Sequence, residues 1–337
     1  MRIARGHAPA RAALVGNPSD GYGGRTISLA LADFGAEAAV YEWPELEIVP
    51  SAADRGRFPG LRALRDEVRA HGLDGGTRLV KATVVRFAEH LEERGIDSPE
   101  ATFAVRYATD VPRGVGLAGS SAIVVAVLRA LCEFHGVEIR RELLPGLALA
   151  VETEELGIAA GLQDRVAQAY GGLVSMDFEP GHLAKHGHGR YEPLDPSLLP
   201  PLFLAWLPAA AQPSTLAHAD VRGRHARGEP DVVAAMSEMA DLARRAHDHL
   251  LEGDHAALGE LIDGNFEARR RVFDLDPRHV DMVEVARGHG APAHFAGSGG
   301  ALLGIVVDEE RWPALRAAYE SVGCRAIRPT VAPALPP

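Results

Sequence analysis

The sequence predicts an α+β fold in two domains, and three observations carry that prediction. Extended apolar segments crowd the first fifty residues, at 10–15, 27–32, 37–41 and 47–49, with turn residues between them. Sheet and helix patterns then follow one another in blocks, not as regular strand–helix–strand units, which is the order of an α+β chain. A polar, proline-rich stretch at 179–200 separates two halves of different texture. It places the junction between an N-terminal domain, 1–190, and a C-terminal domain, 191–337, and a chain of 337 residues has room for two such cores.

Taken in order, the first strand runs into GNPSDGYGG at residues 16–24. Asn17-Pro18, Asp20-Gly21 and Gly23-Gly24 stack three turn signals in that one loop. The four extended segments predict an antiparallel sheet. Helices are expected at 61–71 and 78–95, the second with Leu79, Val80, Val84, Phe87, Ala88 and Leu91 along one side. Residues 101–107 alternate and read as a strand that leads into VPRGVGLAGSSAIVVAVLRALCEFH, residues 111–135. That stretch begins as a glycine-rich turn and becomes a helix. The run from Ile123 to Leu128 is apolar on every side, so the helix is expected to be buried, with Ser120 capping its N-terminus. Pro145 opens a further helix to about residue 156, and another starts at Gln163 within the glycine-bounded segment 157–172. Strand 173–178 closes the first half.

In the second half the pattern gives strand 202–207, helices 231–251, 255–273 and 280–289, and strand 293–296. The turn GSGG at 297–300, strand 301–307, helix 310–322 and strand 325–331 complete it. The final APALPP reads as a loose tail.

Composition narrows the function. A net charge of −11 argues against nucleic acid, which needs a basic face. No run approaches the roughly 18 apolar residues of a membrane span. Two cysteines, Cys132 and Cys324, suggest no disulfide framework, and with no signal-peptide pattern at the N-terminus a cytoplasmic location is expected.

The chemistry concentrates around the glycine-rich turn. Gly114, Gly116 and Gly119 let backbone N–H groups approach a ligand, and the helix N-terminus behind them carries unpaired donors and partial positive charge. This is an anion site suited to phosphate, without the lysine of a Walker P-loop. Glu152 and Asp164 lie close in sequence; phosphoryl transfer uses carboxylates to ligate Mg²⁺ and to orient the attacking hydroxyl. On residue type alone, Glu154 and Glu155 serve as well as Glu152. Arg11 is a charge in mid-strand, Asp20 sits in a loop able to wrap a polyol, and residues 297–300 form a second glycine turn. His182, His186 and His188 read as a solvated loop, and Arg269 to Arg271 offer either a solvated face or an arginine fork for an anionic substrate.

Three motifs in this order resemble the GHMP superfamily of small-molecule kinases. PARAALVGNPSDGYGG resembles the first motif of its sugar kinases, PRGVGLAGSSA the phosphate-loop motif, and HFAGSGGALLGIV the third, a glycine turn between strands. Within that superfamily, LVGNPSDGYGGRTISL, GLAGSSAIV, ELGIAAGLQDRVAQAYGGLVSMDF and NFEARRRVF are most similar to the glucuronokinases. The resemblance implies a two-domain fold: an N-terminal domain like ribosomal protein S5 and a ferredoxin-like α/β sandwich. It implies an ATP- and Mg²⁺-dependent kinase that phosphorylates the anomeric hydroxyl of D-glucuronate. The partner is then a small-molecule sugar, bound by a monomer or homodimer.

By position, the resemblance implies that Pro112, Gly114, Gly116, Leu117, Ala118, Gly119, Ser120 and Ser121 hold the ATP phosphates, and that Ser121 and Glu152 ligate Mg²⁺. Asp164 becomes the catalytic aspartate, with Arg11 polarising the acceptor hydroxyl. Asn17, Asp20, Tyr22, Arg165, Gly297, Ser298 and Gly299 would bind the sugar. A uronate carboxylate requires a cation, for which Arg25, Arg165 and Arg270 are the candidates. GLAGSSA is one residue longer than the usual GLGSSA, and Asn17 and Pro18 stand where galactokinases carry Glu and His. Both departures turn the expectation away from galactose. Galacturonate, galactose or a heptose phosphate is the alternative substrate, and a non-catalytic sugar sensor the alternative outside enzymes.

Overall fold

The computed structural model describes residues 2–50, 75–96, 102–208 and 215–335, so the helix expected at 61–71 lies outside the described residues. Its N-terminal half is built on two long antiparallel strands, β1 (Ile3–Val15) and β2 (Arg25–Glu42), joined through a short 3₁₀ turn, Ser19–Tyr22. The segments expected at 27–32 and 37–41 are one bent strand. The bend has a local cause: the register slips between Pro9, opposite Gly35, and Ala10, opposite Leu31. Proline has no N–H to give the ladder, and residues 32–34 of β2 are left without a partner on β1. On its other edge β2 pairs with β4 (Phe103–Thr109) at one end and β5 (Leu173–Asp177) at the other. The edge strands β3 (Glu47–Val49) and β6 (Arg190–Leu194) complete six strands.

Helix α1 (Gly75–Glu93) and the central helix α2 (Gly119–His135) cover one face of this sheet. Every residue of α2 from Ser121 to Leu128 is buried, as the unbroken apolar run predicts, and each Val or Leu so buried contributes about 1.5–3 kcal/mol. Gly6 lets the helix this close, since a Cβ there would overlap the Ala126 carbonyl. Ser120 does not cap it. The helix begins at Gly119 behind Ala118, which takes a left-handed conformation (φ 61°) with no side-chain cap. The lengthened GLAGSSA loop is thus turned by its alanine.

Helix α3 (Leu144–Ala150) continues as a π turn over Val151–Glu155, and α4 (Gln163–Tyr170) follows after a loop. The region predicted as a polar junction holds a short helix, α5 (Pro180–His186), and strand β6, whose pairing with β5 keeps it in the first sheet. The second half is a four-stranded antiparallel sheet, ordered β10 (Arg325–Ile327), β7 (Leu202–Trp206), β9 (Ala301–Ile305), β8 (Ala293–Phe295). Helices α6 (Thr215–Ala226), α7 (Pro230–Glu252), α8 (His255–Arg270), α9 (Pro277–Gly288) and α10 (Trp312–Ser321) belong to this half. The halves share a core in which Leu14 and Leu29 meet Leu242, Leu261 and Leu303. Among the described residues no helix is long and apolar enough to cross a membrane.

The C-terminal segment is not loose. The Ala32 N–H donates to the Thr330 carbonyl (2.8 Å), filling part of the gap left by the β2 bend. Ala332 donates to Ala30 (2.8 Å) and Leu335 to Tyr170 (2.7 Å), so the tail straps the far end of α4 to the sheet. A place at the end of the chain was the reason to expect a loose tail, yet Ala332 and Leu335 bond to the sheet and to α4.

Candidate active site

Strand β1 passes the site, and Arg11 in its second half forms one side of it. Arg11 is 4% exposed; one guanidinium nitrogen donates to the Ala296 carbonyl from the second half, and the other pairs with Asp164 Oδ1. A buried guanidinium is tolerable only with such partners. Asp164 stands in the first turn of α4, where the helix N-terminus favours a carboxylate, and its side chain remains 20% exposed to the cavity.

Arg165, the next residue, is directed elsewhere. It pairs with Glu152 on the π turn, donates to the Gly161 carbonyl (2.7 Å) and approaches Asp164 Oδ2 at 3.4 Å. This removes Arg165 from the candidates for a substrate carboxylate: its charge is already committed to Glu152. Glu152 is fully buried, and its other oxygen, Oε1, has no hydrogen-bond partner among the described residues. A wide π turn re-aims a side chain relative to the α-helical period, which distinguishes Glu152 from its exposed neighbour Glu154.

The 3₁₀ turn after β1 supplies Asp20. Its carboxylate accepts from the Gln163 backbone N–H (3.2 Å) and from Gln163 Nε2 (2.8 Å), which also donates to Asn17 Oδ1 (2.8 Å). Desolvation first, then the nearby Asp164 charge, raises the Asp20 carboxyl to about 6; the bond from Gln163 and the charges of Arg11 and Arg165 oppose this. Asn17 donates to the Gly297 carbonyl (2.8 Å), and Asn265 on α8 bridges the Gly16 N–H and the Asn17 carbonyl (2.6 and 3.1 Å).

The two glycine turns interlock. A Cβ on Gly297 would overlap the Gly116 carbonyl, and one on Gly116 would stand 2.8 Å from the Ser298 nitrogen. Gly116 also has φ 78°, so glycine is required there twice over. Arg269, buried on α8, donates to the carbonyls of Gly297 (2.7 Å) and Ser298 (2.9 Å) and so holds the second turn; burial pushes its guanidinium down to about 9. It is therefore a brace for the loop, while Arg270 is exposed and Arg271 pairs with Glu238 at the surface. Arg25 is likewise occupied by Asp177.

Between these parts lies a cavity of about 510 Å³, lined by Arg11, Asp20, Tyr22, the turn from Pro112 to Ser120, Glu152 and Asp164. Ser120 faces the cavity. Ser121 is buried one position on, with its hydroxyl donating to the Ala118 carbonyl (3.1 Å), which leaves its lone pairs to accept. Gln168 holds the same carbonyl from α4 (2.9 Å).

Residues 78–172 match the family described as GHMP kinases N terminal domain. The chain is 43% identical to Glucuronokinase 1 of Arabidopsis thaliana over 302 residues, covering 87% of this chain and 82% of that protein. It is equally 43% identical to Probable glucuronokinase 2 of the same plant, with the same coverage. This chain belongs to the glucuronokinase family of GHMP kinases. Its fold is the two-domain fold of that superfamily: galactokinase from Lactococcus lactis, solved with galactose, superposes with a TM-score of 0.77 over 99% of this chain and 95% of that one, at 15% identity. As in other GHMP kinases, ATP is the co-substrate.

Within this GHMP kinase, the structure brings Arg11, Asn17, Asp20, Tyr22, Glu152, Asp164 and Ser298 to one cavity together with the glycine turn. Gln163, Asn265 and Arg222 were not anticipated from the sequence, and Arg269, offered there as part of a solvated face or a fork for an anionic substrate, instead holds the second glycine turn. Gln163 alone carried a signal, an amide directly before the Asp164 position. The histidines His182, His186 and His188 lie outside the cavity, mutually stacked or tilted at 4.3–6.0 Å between ring centres.

Proposed function

We propose that this chain transfers the γ-phosphoryl group of ATP to the anomeric hydroxyl of D-glucuronate, giving glucuronate 1-phosphate and ADP. One observation carries the reading: a carboxylate, Asp164, is pinned by a buried arginine in the wall of a cavity that two glycine turns close, in a chain 43% identical to a plant glucuronokinase.

In this mechanism Asp164 orients the acceptor hydroxyl and takes its proton as the new O–P bond forms and the bond to the β-phosphate oxygen breaks. Arg11 holds the aspartate in place through its guanidinium, so little reorganisation is needed at the moment of reaction. The backbone N–H groups from Gly114 to Ser120 face the phosphates, with the N-terminus of α2 behind them. Asn17, Asp20 and Tyr22 hold the sugar hydroxyls, and Gly297, Ser298 and Gly299 close the site over them. The donor set fits Mg²⁺, a hard cation: Glu152 presents a buried, unpartnered carboxylate oxygen, and Ser121 a hydroxyl whose O–H points to the Ala118 carbonyl and leaves its lone pairs to accept. Bound there, Mg²⁺ supplies charge neutralisation at the phosphates.

Turnover of Mg-ATP measured against uronic acids, neutral hexoses and sugar phosphates tests the proposal. D-glucuronate is expected to be the preferred acceptor, and Asp164→Asn to lower kcat by about 10²–10⁴-fold. Equal rates on glucuronate and galactose would reject the uronate assignment, and a near-normal rate in the variant would reject the role of Asp164.

A further inference from the structure

The cavity is acidic where the sugar sits. Asp20, Glu152 and Asp164 all line it, so a sugar that carries a carboxylate meets like charge unless a cation is provided. Two of the arginines in the wall are already engaged: Arg11 by Asp164, Arg165 by Glu152 and Gly161. Arg113 belongs to the glycine turn that faces the phosphates, and Arg78 on α1 donates to the Leu156 carbonyl (3.4 Å).

Arg222 on α6 is different. Its contacts are neutral ones: the Ala160 carbonyl at a long 3.4 Å and the Tyr22 hydroxyl, and no carboxylate pairs with it among the described residues. The guanidinium lies over the turn that carries Asp20, since its Nη2 would stand 3.8 Å from a Cβ on Gly21. It reaches the cavity from the second half, at the first-motif wall that holds the sugar.

We propose that Arg222 reads an anionic substituent on the sugar, the carboxylate in a hexuronate, and so sets the specificity of this site. The inference rests on the uronate kinase reading. A guanidinium presents a planar fork that can grip a carboxylate through two parallel bonds, while the Tyr22 phenol lies beside it. Neutral hexoses gain nothing from this contact, so the residue contributes to discrimination. Phosphate would satisfy the same fork, and the test separates the two.

The experiment is steady-state kinetics of the full chain with D-glucuronate and D-glucose 6-phosphate, with D-glucose as competitor. The wild type, Arg222→Met, Arg222→Lys and Gly21→Asp are compared. Arg222→Met is expected to lower kcat/KM for glucuronate on the order of 10- to 100-fold, mainly through KM, with the Ki for glucose moving less than the glucuronate KM. Arg222→Lys restores part of the loss. Gly21 tolerates a side chain, with nothing nearer than that 3.8 Å contact, so Gly21→Asp offers Arg222 an internal carboxylate and should raise the glucuronate KM with Arg222 intact. An unchanged glucuronate KM in both Arg222→Met and Gly21→Asp overturns the proposal, as does an equal loss for glucuronate and glucose. A loss confined to glucose 6-phosphate reassigns the fork to phosphate and overturns the carboxylate claim. A wild type inactive on glucuronate instead removes the functional reading itself, a result visible before any variant is made.

Discussion

Replacing Asp20 by asparagine should stabilise the ligand-free protein while damaging its function. The carboxyl of Asp20 is raised from 3.8 to about 6, by burial first and by Asp164 second. Between those two values the folded chain keeps a proton that the unfolded chain releases. The stability attached to this group is therefore complete below pH 3.8 and is lost as the pH rises through about 6. A shift of about two units corresponds to about 3 kcal/mol of penalty for holding Asp20 ionised at neutral pH. Asparagine avoids that penalty but gives up one of the two hydrogen bonds from Gln163, which offsets about 1 kcal/mol. The net gain is about 1–2 kcal/mol at pH 7.5, or a rise in Tm of about 1–3 °C for a chain of 337 residues.

Calorimetric unfolding of both proteins from pH 4 to 8 measures this. The two should differ most above pH 6 and converge towards pH 4, while the variant's KM for sugar rises because a hydroxyl acceptor has lost its charge. A Tm at pH 7.5 that is unchanged or lower, or a difference that persists undiminished at pH 4, would refute the electrostatic account of the site.

Three further outcomes follow from the same geometry. Glu152→Gln should raise the Mg²⁺ concentration for half-maximal rate at least tenfold; a lowered Tm with an unchanged Mg²⁺ requirement would reduce Glu152 to the ion-pair partner of Arg165. Gly297→Ala forces its Cβ onto the Gly116 carbonyl, an overpacking cost of about 1–3 kcal/mol that should appear as a lower Tm and slower turnover, and a variant with wild-type kinetics would contradict the interlock. Ending the chain after Arg328 removes the tail's bonds to Ala30, Ala32 and Tyr170, at about 0.5–1.5 kcal/mol each, and frees the end of α4. Urea titration should show a loss of about 2–4 kcal/mol, and none if the tail is dispensable.

What the sequence made legible was what local chemistry encodes. The apolar run of α2 and the glycine turn before it depend on residue type and spacing within a few positions. So does the placing of Asp164 at a helix start. The meeting of Gly116 with Gly297 was not legible, because it is a contact between two backbones 181 positions apart (297 − 116) and glycine leaves no side chain to advertise it. Arg165 looked available for substrate because a helical period gives no sign that a π turn brings Glu152 to it. Arg269 sat in an arginine triplet whose members resemble each other in sequence, yet burial separates them into a brace and two surface charges. The tail failed in the opposite direction, since a terminal position gives no sign that Ala332 and Leu335 bond back to Ala30 and Tyr170.

The charges of the site constrain how it can choose a substrate. Asp20, Asp164 and Glu152 face Arg11 and Arg165, so the inner cluster carries three carboxylates and two guanidiniums, a formal excess of one negative charge. At Asp20 burial and the Asp164 charge both act against the ionised carboxyl, raising it to about 6. Hydroxyl groups, which donate, relieve the excess, and so does a cation beside Glu152. A carboxylate on the sugar does neither. An acidic inner cluster can therefore recognise the polyol common to hexoses, but it disfavours the one group that marks a uronate. Selection for that group must come from outside the cluster, and the rim position of Arg222, beside Tyr22 and clear of every inner acid's grip, is where the molecule provides it.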